Sequence, residues 1–187
     1  MNGFLKQCNL VSRLSPEASD DLEALLKTKE FKKGEFINKE GQICKDFFFV
    51  DYGLVKHYYY LNGNQYITRF FCENDFFIIM DSFLNYSPAE YTTIALEDTQ
   101  ITYLKNNDLE YLCKKHHSIE TFIRKYISFV AFITINRFKS MLNQDATERY
   151  NNFLSEYKHI LQRISLGDTA SYLGMSQVSL SRIRAKK

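Results

Sequence analysis

The 187 residues suffice for one ordinary domain or two small ones, and a hydrophobic share of 45% supports a buried core. With charged residues at 25% and a net charge of +2, the whole-chain balance singles out neither nucleic acid nor an acidic partner. Cys8, Cys44, Cys72 and Cys113 stand 28 to 41 residues apart, which excludes a CxxC metal or redox site and points to reduced thiols in a cytoplasmic protein. No basic stretch followed by an apolar run opens the chain, so no signal peptide is expected. The most apolar stretch, Tyr126 to Ile135, is too short to span a membrane, and no membrane partner is expected.

Residues 4 to 29 read as helical. Ser15-Pro16-Glu17 supplies an N-cap, a proline at the first helical position and an acid in the first turn, and Leu22, Leu25 and Leu26 follow at helical spacing. From Lys32 to Leu104 the pattern changes. Short apolar runs (Phe36-Ile37, Phe47 to Val50, Leu54 to Leu61, Tyr66 to Phe71, Tyr91 to Ala95, Ile101 to Leu104) are broken by Gly, Asn and Asp at intervals of roughly ten residues. Leu61-Asn62-Gly63-Asn64 is a hairpin signal, because Asn-Gly tolerates the positive φ angles of a tight turn. Many short strands at this spacing predict a sandwich, jelly roll or barrel.

After Asp108 helical spacing returns. Ile119, Phe122, Ile123, Tyr126, Ile127, Val130 and Ile133 recur every three or four residues, and Phe129, Phe132, Ile135, Phe138 and Leu142 extend the apolar surface almost around the helix. Such a helix must be buried on more than one side. One side can face the β region, and an identical helix from a second copy is the economical cover for the other. The expected dimer contacts are Phe122, Tyr126, Phe129, Val130 and Ile133; the competing reading buries the helix wholly within its own subunit. Asn143-Gln144-Asp145 breaks this helix, and Ala146 to Gln162 forms another.

Ser165 to Arg184 holds the most specific constellation. Two closely crossing helices need a small residue in the first, Ala170; a glycine in the turn, Gly174; and apolar residues to close the wedge, Leu173, Met175, Leu180 and Ile183. Ser165 with Asp168 resembles a capping box, and Ser176 can cap the second helix, with Met175 and Leu180 as a hydrophobic staple. Gln177, Ser179, Ser181, Arg182 and Arg184 are left for the outer side, as residue types that bond base edges and phosphates. From Gln144 onward seven Lys and Arg face four Asp and Glu, and the last six residues carry Arg182, Arg184, Lys186 and Lys187 with no acid. An ordinary antiparallel helix pair would share the glycine turn and the apolar wedge, but not the whole set at these spacings.

Lys33-Gly34-Glu35-Phe36-Ile37-Asn38-Lys39-Glu40-Gly41, followed by Phe48-Phe49-Val50-Asp51-Tyr52-Gly53-Leu54-Val55-Lys56, resembles the start of the cyclic-nucleotide-binding β-roll of CRP/FNR transcription regulators. The long helix resembles that family's dimerisation helix, and Ser165 to Arg184 resembles its DNA-binding helix-turn-helix. The resemblance implies an α+β chain: a jelly-roll-like sensor domain over residues 1–117, a dimerisation helix over 118–143 and a helix-turn-helix domain over 144–187. Candidate partners are double-stranded DNA, a second copy of the chain, RNA polymerase and a small-molecule effector. The family's base-reading positions fall on Gln177, Val178 and Arg182. Arg182 suits a guanine, whereas Val178 replaces a Glu that accepts from cytosine. Ser176 and Ser179 are expected near phosphates, and Arg184 and Lys186 to add non-specific attraction.

Three departures from the family pattern stand out. Nucleotide-binding members carry a Gly-Glu pair and then an Arg for the cyclic phosphate. Aligned on Pro88 and Ala95, the Arg position falls on Ala89 with Glu90 next, and the Gly-Glu region reads Phe77-Ile78-Ile79-Met80-Asp81. Cyclic AMP is therefore not the expected effector. A pocket among Phe76, Phe77, Ile79 and Phe83 would suit an apolar or cationic effector, and a filled core is the alternative. The cysteine cluster of iron–sulfur members is absent, since Cys8 stands alone, and no cofactor is expected. The chain stops at Lys187, where most members continue into a β-hairpin wing, so most of the wing is expected to be missing.

Two other function classes compete. One is a sensor or interaction module with a degenerate helix-turn-helix that binds no DNA. The other is a cupin-like metalloenzyme, but only His57 falls in the strand region, while His116, His117 and His159 lie elsewhere. The residues argue against an enzyme.

Overall fold

The structure, a computed structural model, describes residues 2–185. Asn2 caps the first helix, α1 (Gly3–Val11), by accepting from the Phe4 N–H, and Ser15 caps α2 (Pro16–Leu25) by accepting from the Ala18 N–H. The chain then becomes extended sooner than its leucine spacing suggests. Lys27–Phe31 forms β1 where helix is expected to residue 29, because its alternating Lys and Thr side chains suit a solvent-facing edge and Phe31 alone turns inward.

Seven further strands follow: β2 (Phe36–Asn38), β3 (Phe47–Tyr52), β4 (Val55–Leu61), β5 (Asn64–Phe71), β6 (Phe76–Ile78), β7 (Thr92–Ala95) and β8 (Thr99–Leu104). A short helix, α3 (Met80–Asn85), sits between β6 and β7. All pairings are antiparallel and make two four-stranded sheets, ordered β1-β8-β3-β6 and β2-β7-β4-β5. This is the expected β-roll. The β4–β5 hairpin turns at Asn62 and Gly63, at φ +52° and +75°, the paired positive angles of a type I′ turn. Gly53 is required at φ +100°, since a Cβ there would meet the Thr99 hydroxyl oxygen at 2.3 Å and its Cα at 2.6 Å.

Phe47 to Val50 is buried throughout because β3 is covered on both faces. Phe47 and Phe49 point toward helices, while Phe48 and Val50 point between the sheets. On the helical side lie α1, α2, α4 (Asn106–Lys115) and the long α5 (His117–Asn143). There the Phe4 ring centroid lies 5.0 Å from that of Phe76 and 5.6 Å from that of Phe49, and the Tyr126 hydroxyl donates to the Phe76 carbonyl at 3.0 Å. The Phe4–Phe76 pair is edge-to-face, an arrangement that adds about 0.5–1.5 kcal/mol beyond burial.

Phe76, Phe77, Ile79 and Phe83 therefore fill core instead of lining a cavity: Phe76 and Phe83 pack toward the helices, Phe77 and Ile79 between the sheets. The outer face of the second sheet, through Leu54, Ile67 and Phe70, packs against α6 (Ala146–Glu156), α7 (Leu166–Leu173) and α8 (Gln177–Ala185). Helix α6 stops at Glu156, short of the expected Gln162, and residues 157–163 continue as turns. Tyr157 and Ile160 of that segment are buried with Phe70 and Tyr172.

The two halves of α5 differ. Phe122, Tyr126 and Val130, expected at a dimer contact, are 2%, 6% and 8% exposed and pack on the aromatic side of β3 and β6. They are committed within their own subunit. Phe129, also expected there and one heptad after Phe122, is 54% exposed, and Phe132, Ile135, Phe138 and Leu142 of the C-terminal half are exposed as well. Ile133, one heptad after Tyr126, is half-buried.

Candidate nucleic-acid interface

Helix α6 starts on Asp145, which accepts from the Glu148 N–H while Glu148 returns to the Asp145 N–H, a complete capping box. Helix α7 starts on Ser165, whose hydroxyl oxygen accepts from the Asp168 N–H at 2.9 Å. Asp168 does not complete the expected reciprocal box. Its carboxylate accepts from the Ser165 hydroxyl and from Lys56 of β4. The turn follows at Gly174, φ +64°, and the Met175 N–H donates to the Ala170 carbonyl at 3.0 Å, closing α7. Ser176 then accepts from the Ser179 N–H at 3.1 Å and opens α8.

The wedge forms from the expected residues. Ala170, Leu173 and Leu180 are buried together with Phe153, Tyr157 and Tyr172, and Met175 and Ile183 pack at its margin. Leu180 is the buried residue of α8, Ile183 is half-buried, and Gln177, Val178, Ser179, Ser181, Arg182 and Arg184 are exposed. Gln177 rests over α7: its amide nitrogen would lie 2.9 Å from a Cβ at Gly167, so glycine there makes its seat. Lys186 lies outside the described residues.

Three cations that the sequence reading passed over, Lys56, Arg163 and Arg137, hold this helical unit to the β-roll, and a fourth, Arg149, ties α6 to α7 and to the end of α5. Lys56 reaches Asp168 at 2.5 Å with both side chains largely buried. Arg163 forms a two-point pair with Glu73, at 2.7 and 2.9 Å, and also bonds Glu97. Arg137 of α5 donates to the carbonyls of Ile67 at 3.1 Å and Tyr172 at 2.8 Å, and its guanidinium lies 3.6 Å from the Tyr172 ring centre. Arg149 donates to the carbonyls of Leu173 and Gln144. The Ser171 hydroxyl donates to the Gln65 carbonyl at 2.5 Å. The partners lie 35 to 112 residues apart except at Gln144 and Leu173, so no local pattern announces them. Between the β4–β5 hairpin and the start of α7 and α8 an open cleft of about 570 Å³ remains, walled by Asn64, Gln65 and Tyr66 on one side and by Ser165, Ser176 and Gln177 on the other.

Residues 28–116 match the family described as the cyclic nucleotide-binding domain. No curated protein sequence matches the chain. Among solved structures, FixK2 from Bradyrhizobium japonicum is similar at a TM-score of 0.71 and 21% identity, over 86% of this chain and 83% of that one. The catabolite activator protein of Thermus thermophilus aligns at a TM-score of 0.59 and 18% identity, over 92% and 83% of the two chains. A structure assigned to the crp/fnr family of transcriptional regulators, from Eubacterium rectale, aligns at a TM-score of 0.72 and 17% identity, over 91% and 82%. The chain has the CRP/FNR-like fold.

Within that CRP/FNR-like fold, Ala89 and Glu90 lie in the segment between α3 and β7. Ala89 is buried and exchanges both backbone bonds with the segment at Gly41 and Gln42, and the Glu90 N–H donates to the Asp81 carboxylate at 3.1 Å. His57 lies between the sheets, with its Nδ1 2.8 Å from the Thr93 hydroxyl oxygen and its ring against Phe71 and Tyr91. Burial pushes its pKa down to about 3, so it is neutral. Among the described residues no group of three His, Cys, Asp or Glu is arranged to hold a metal ion, and no helix is long and apolar enough to cross a membrane.

Proposed function

We propose that the protein is a dimeric DNA-binding transcription regulator whose α7–turn–α8 unit is a helix-turn-helix. The observation that carries this reading is the division of α8. Leu180 anchors it in the wedge, while Val178 and Arg182 stand in solvent on the opposite side and Gln177 and Arg184 are exposed at its flanks. In this reading α8 enters the major groove with Gln177 and Arg182 on base edges, Ser176 and Ser179 beside phosphates, and Val178 against a thymine methyl. Two copies related by a two-fold axis along the exposed C-terminal half of α5 would present two such helices to one duplex.

The test is selection of binding sites from a random duplex pool by the wild type and by Arg182→Ala. The variant should lose about 1–3 kcal/mol on the selected site and relax preference at one position per half-site. If both proteins select the same sequences with the same preferences, Arg182 does not read bases. The effector domain is proposed not to be specific for cyclic AMP, because Ala89 supplies no charge and Glu90 beside Asp81 adds negative charge where a phosphate needs a cation. Titration calorimetry should show no binding of cyclic AMP at micromolar concentrations, and a micromolar isotherm would refute this.

A further inference from the structure

The β4–β5 hairpin extends from the β-roll to the side of the proposed DNA reader. Its tip, Asn64 to Tyr66, forms one wall of the cleft whose other wall includes Ser176 and Gln177. The cleft is thus continuous with the exposed side of α8, and Gln177 belongs to both. The hairpin brings no acid to this side: no Asp or Glu occurs from Gly53 to Cys72, Lys56 is buried on Asp168, and Arg69 lies over the Phe71 ring. The acid that faces the cleft, Asp168, is held by Lys56 at 2.5 Å and by the Ser165 hydroxyl at 2.9 Å. Its charge is thereby compensated from the hairpin itself. Asn64 is exposed, whereas the Gln65 side chain is engaged with Lys56 and the Tyr60 hydroxyl, and Tyr66 stacks on Tyr59 with ring centroids 5.6 Å apart. This leaves a rigid rim carrying amide and hydroxyl groups and no net negative charge.

We infer that the β4–β5 hairpin is a second DNA-contacting element, and that the sugar–phosphate strand flanking the groove occupied by α8 passes through the cleft beside Asn64 and Tyr66. The inference rests on the proposal that α8 reads DNA. Contacts of this kind carry no base information, so they add affinity and salt dependence equally for all sequences. Ion pairing of Lys56 with Asp168 gives the hairpin a fixed position against α7, so the added contact comes at a set distance from the base-reading helix.

The test uses the full chain, Asn64→Asp and Asn64→Lys, and fluorescence anisotropy with two duplexes: one selected by the wild type and one of random sequence. Asn64 lies just outside the turn pair Asn62 and Gly63, so both variants should unfold at the wild-type temperature. Asn64→Asp should weaken both duplexes by a similar factor, roughly three- to tenfold at low salt. Asn64→Lys should strengthen both and steepen the dependence of log affinity on log salt by about 0.9 for one added phosphate contact. Arg182→Ala, run alongside, should weaken the selected duplex alone. If both Asn64 variants match the wild type while Arg182→Ala loses affinity, the hairpin does not touch DNA and the reader assignment stands. A wild type that binds neither duplex overturns both.

Discussion

Arg163 shows how much one residue can do without any local signature. It sits in the irregular segment after α6, yet it brings Glu73 and Glu97 of the β-roll onto one guanidinium. That cation holds the Glu73 carboxyl down at about 2, below its ordinary value of 4.5. A depressed carboxylate stabilises the fold fully above the ordinary value, and this contribution is lost as pH falls from 4.5 toward 2. Both side chains are partly exposed, so the effect is modest and screened by salt. Glu73→Gln should therefore unfold more readily than the wild type at neutral pH, and the gap should narrow between pH 4.5 and 2 in urea titrations. A gap that stays constant over that range would remove Glu73 from the linkage. Single residues with a strict local duty were legible in the sequence: Gly174 for the turn, Ser165 for the cap, Ala170 for the crossing. Arg163, Arg137 and Lys56 were not, because their partners are distant in the chain and any surface cation would look the same.

Helix α5 was legible in place and length, since it begins at His117 where Ser118 is expected. Which of its apolar residues meet the β-roll was not. Phe122 and Phe129 stand one heptad apart on the same stripe, and spacing alone cannot tell which of them the roll covers. The structure separates them by exposure, and Phe129 and Phe132, at 54% and 61% exposed, are the positions open to a second copy. Phe129→Asp combined with Phe132→Asp should give a folded monomer by light scattering. Phe122→Asp should instead lower stability by several kcal/mol, since it places a carboxylate among Phe47, Phe76 and Tyr126. An unchanged dimer mass for the double variant would move the interface off α5. Two strands escaped notice at this scale for opposite reasons. In β1 four of five residues face solvent, so it lacks apolar alternation; β6 is three residues inside a longer apolar run.

Over the whole molecule the layers run helices, sheet, sheet, helices, and the proposed reader is the last layer. The sequence showed the parts in order but not that the last packs on the second sheet, because Leu54, Ile67 and Phe70 read equally well as interior residues of an isolated roll. This packing makes the reader's orientation a property of the β-roll. Lys56→Met with Arg163→Met should loosen it, and calorimetric unfolding should split from one transition into two, with the reader melting first. A single transition retained in the double variant would show that the aromatic contacts of Phe70, Tyr157 and Tyr172 suffice alone.

Strand β5 ends its sheet, and the backbone carbonyls of Gln65 and Ile67 on it are capped by Ser171 of α7 and Arg137 of α5. An uncapped strand of this kind is a template on which a foreign chain can add itself. Helices α5 and α7 therefore also cover this edge against such addition. A shortened chain lacking them would bare Ile67 and Phe70 beside open hydrogen-bonding groups, and its fate would be decided by solubility before any question of signalling arose.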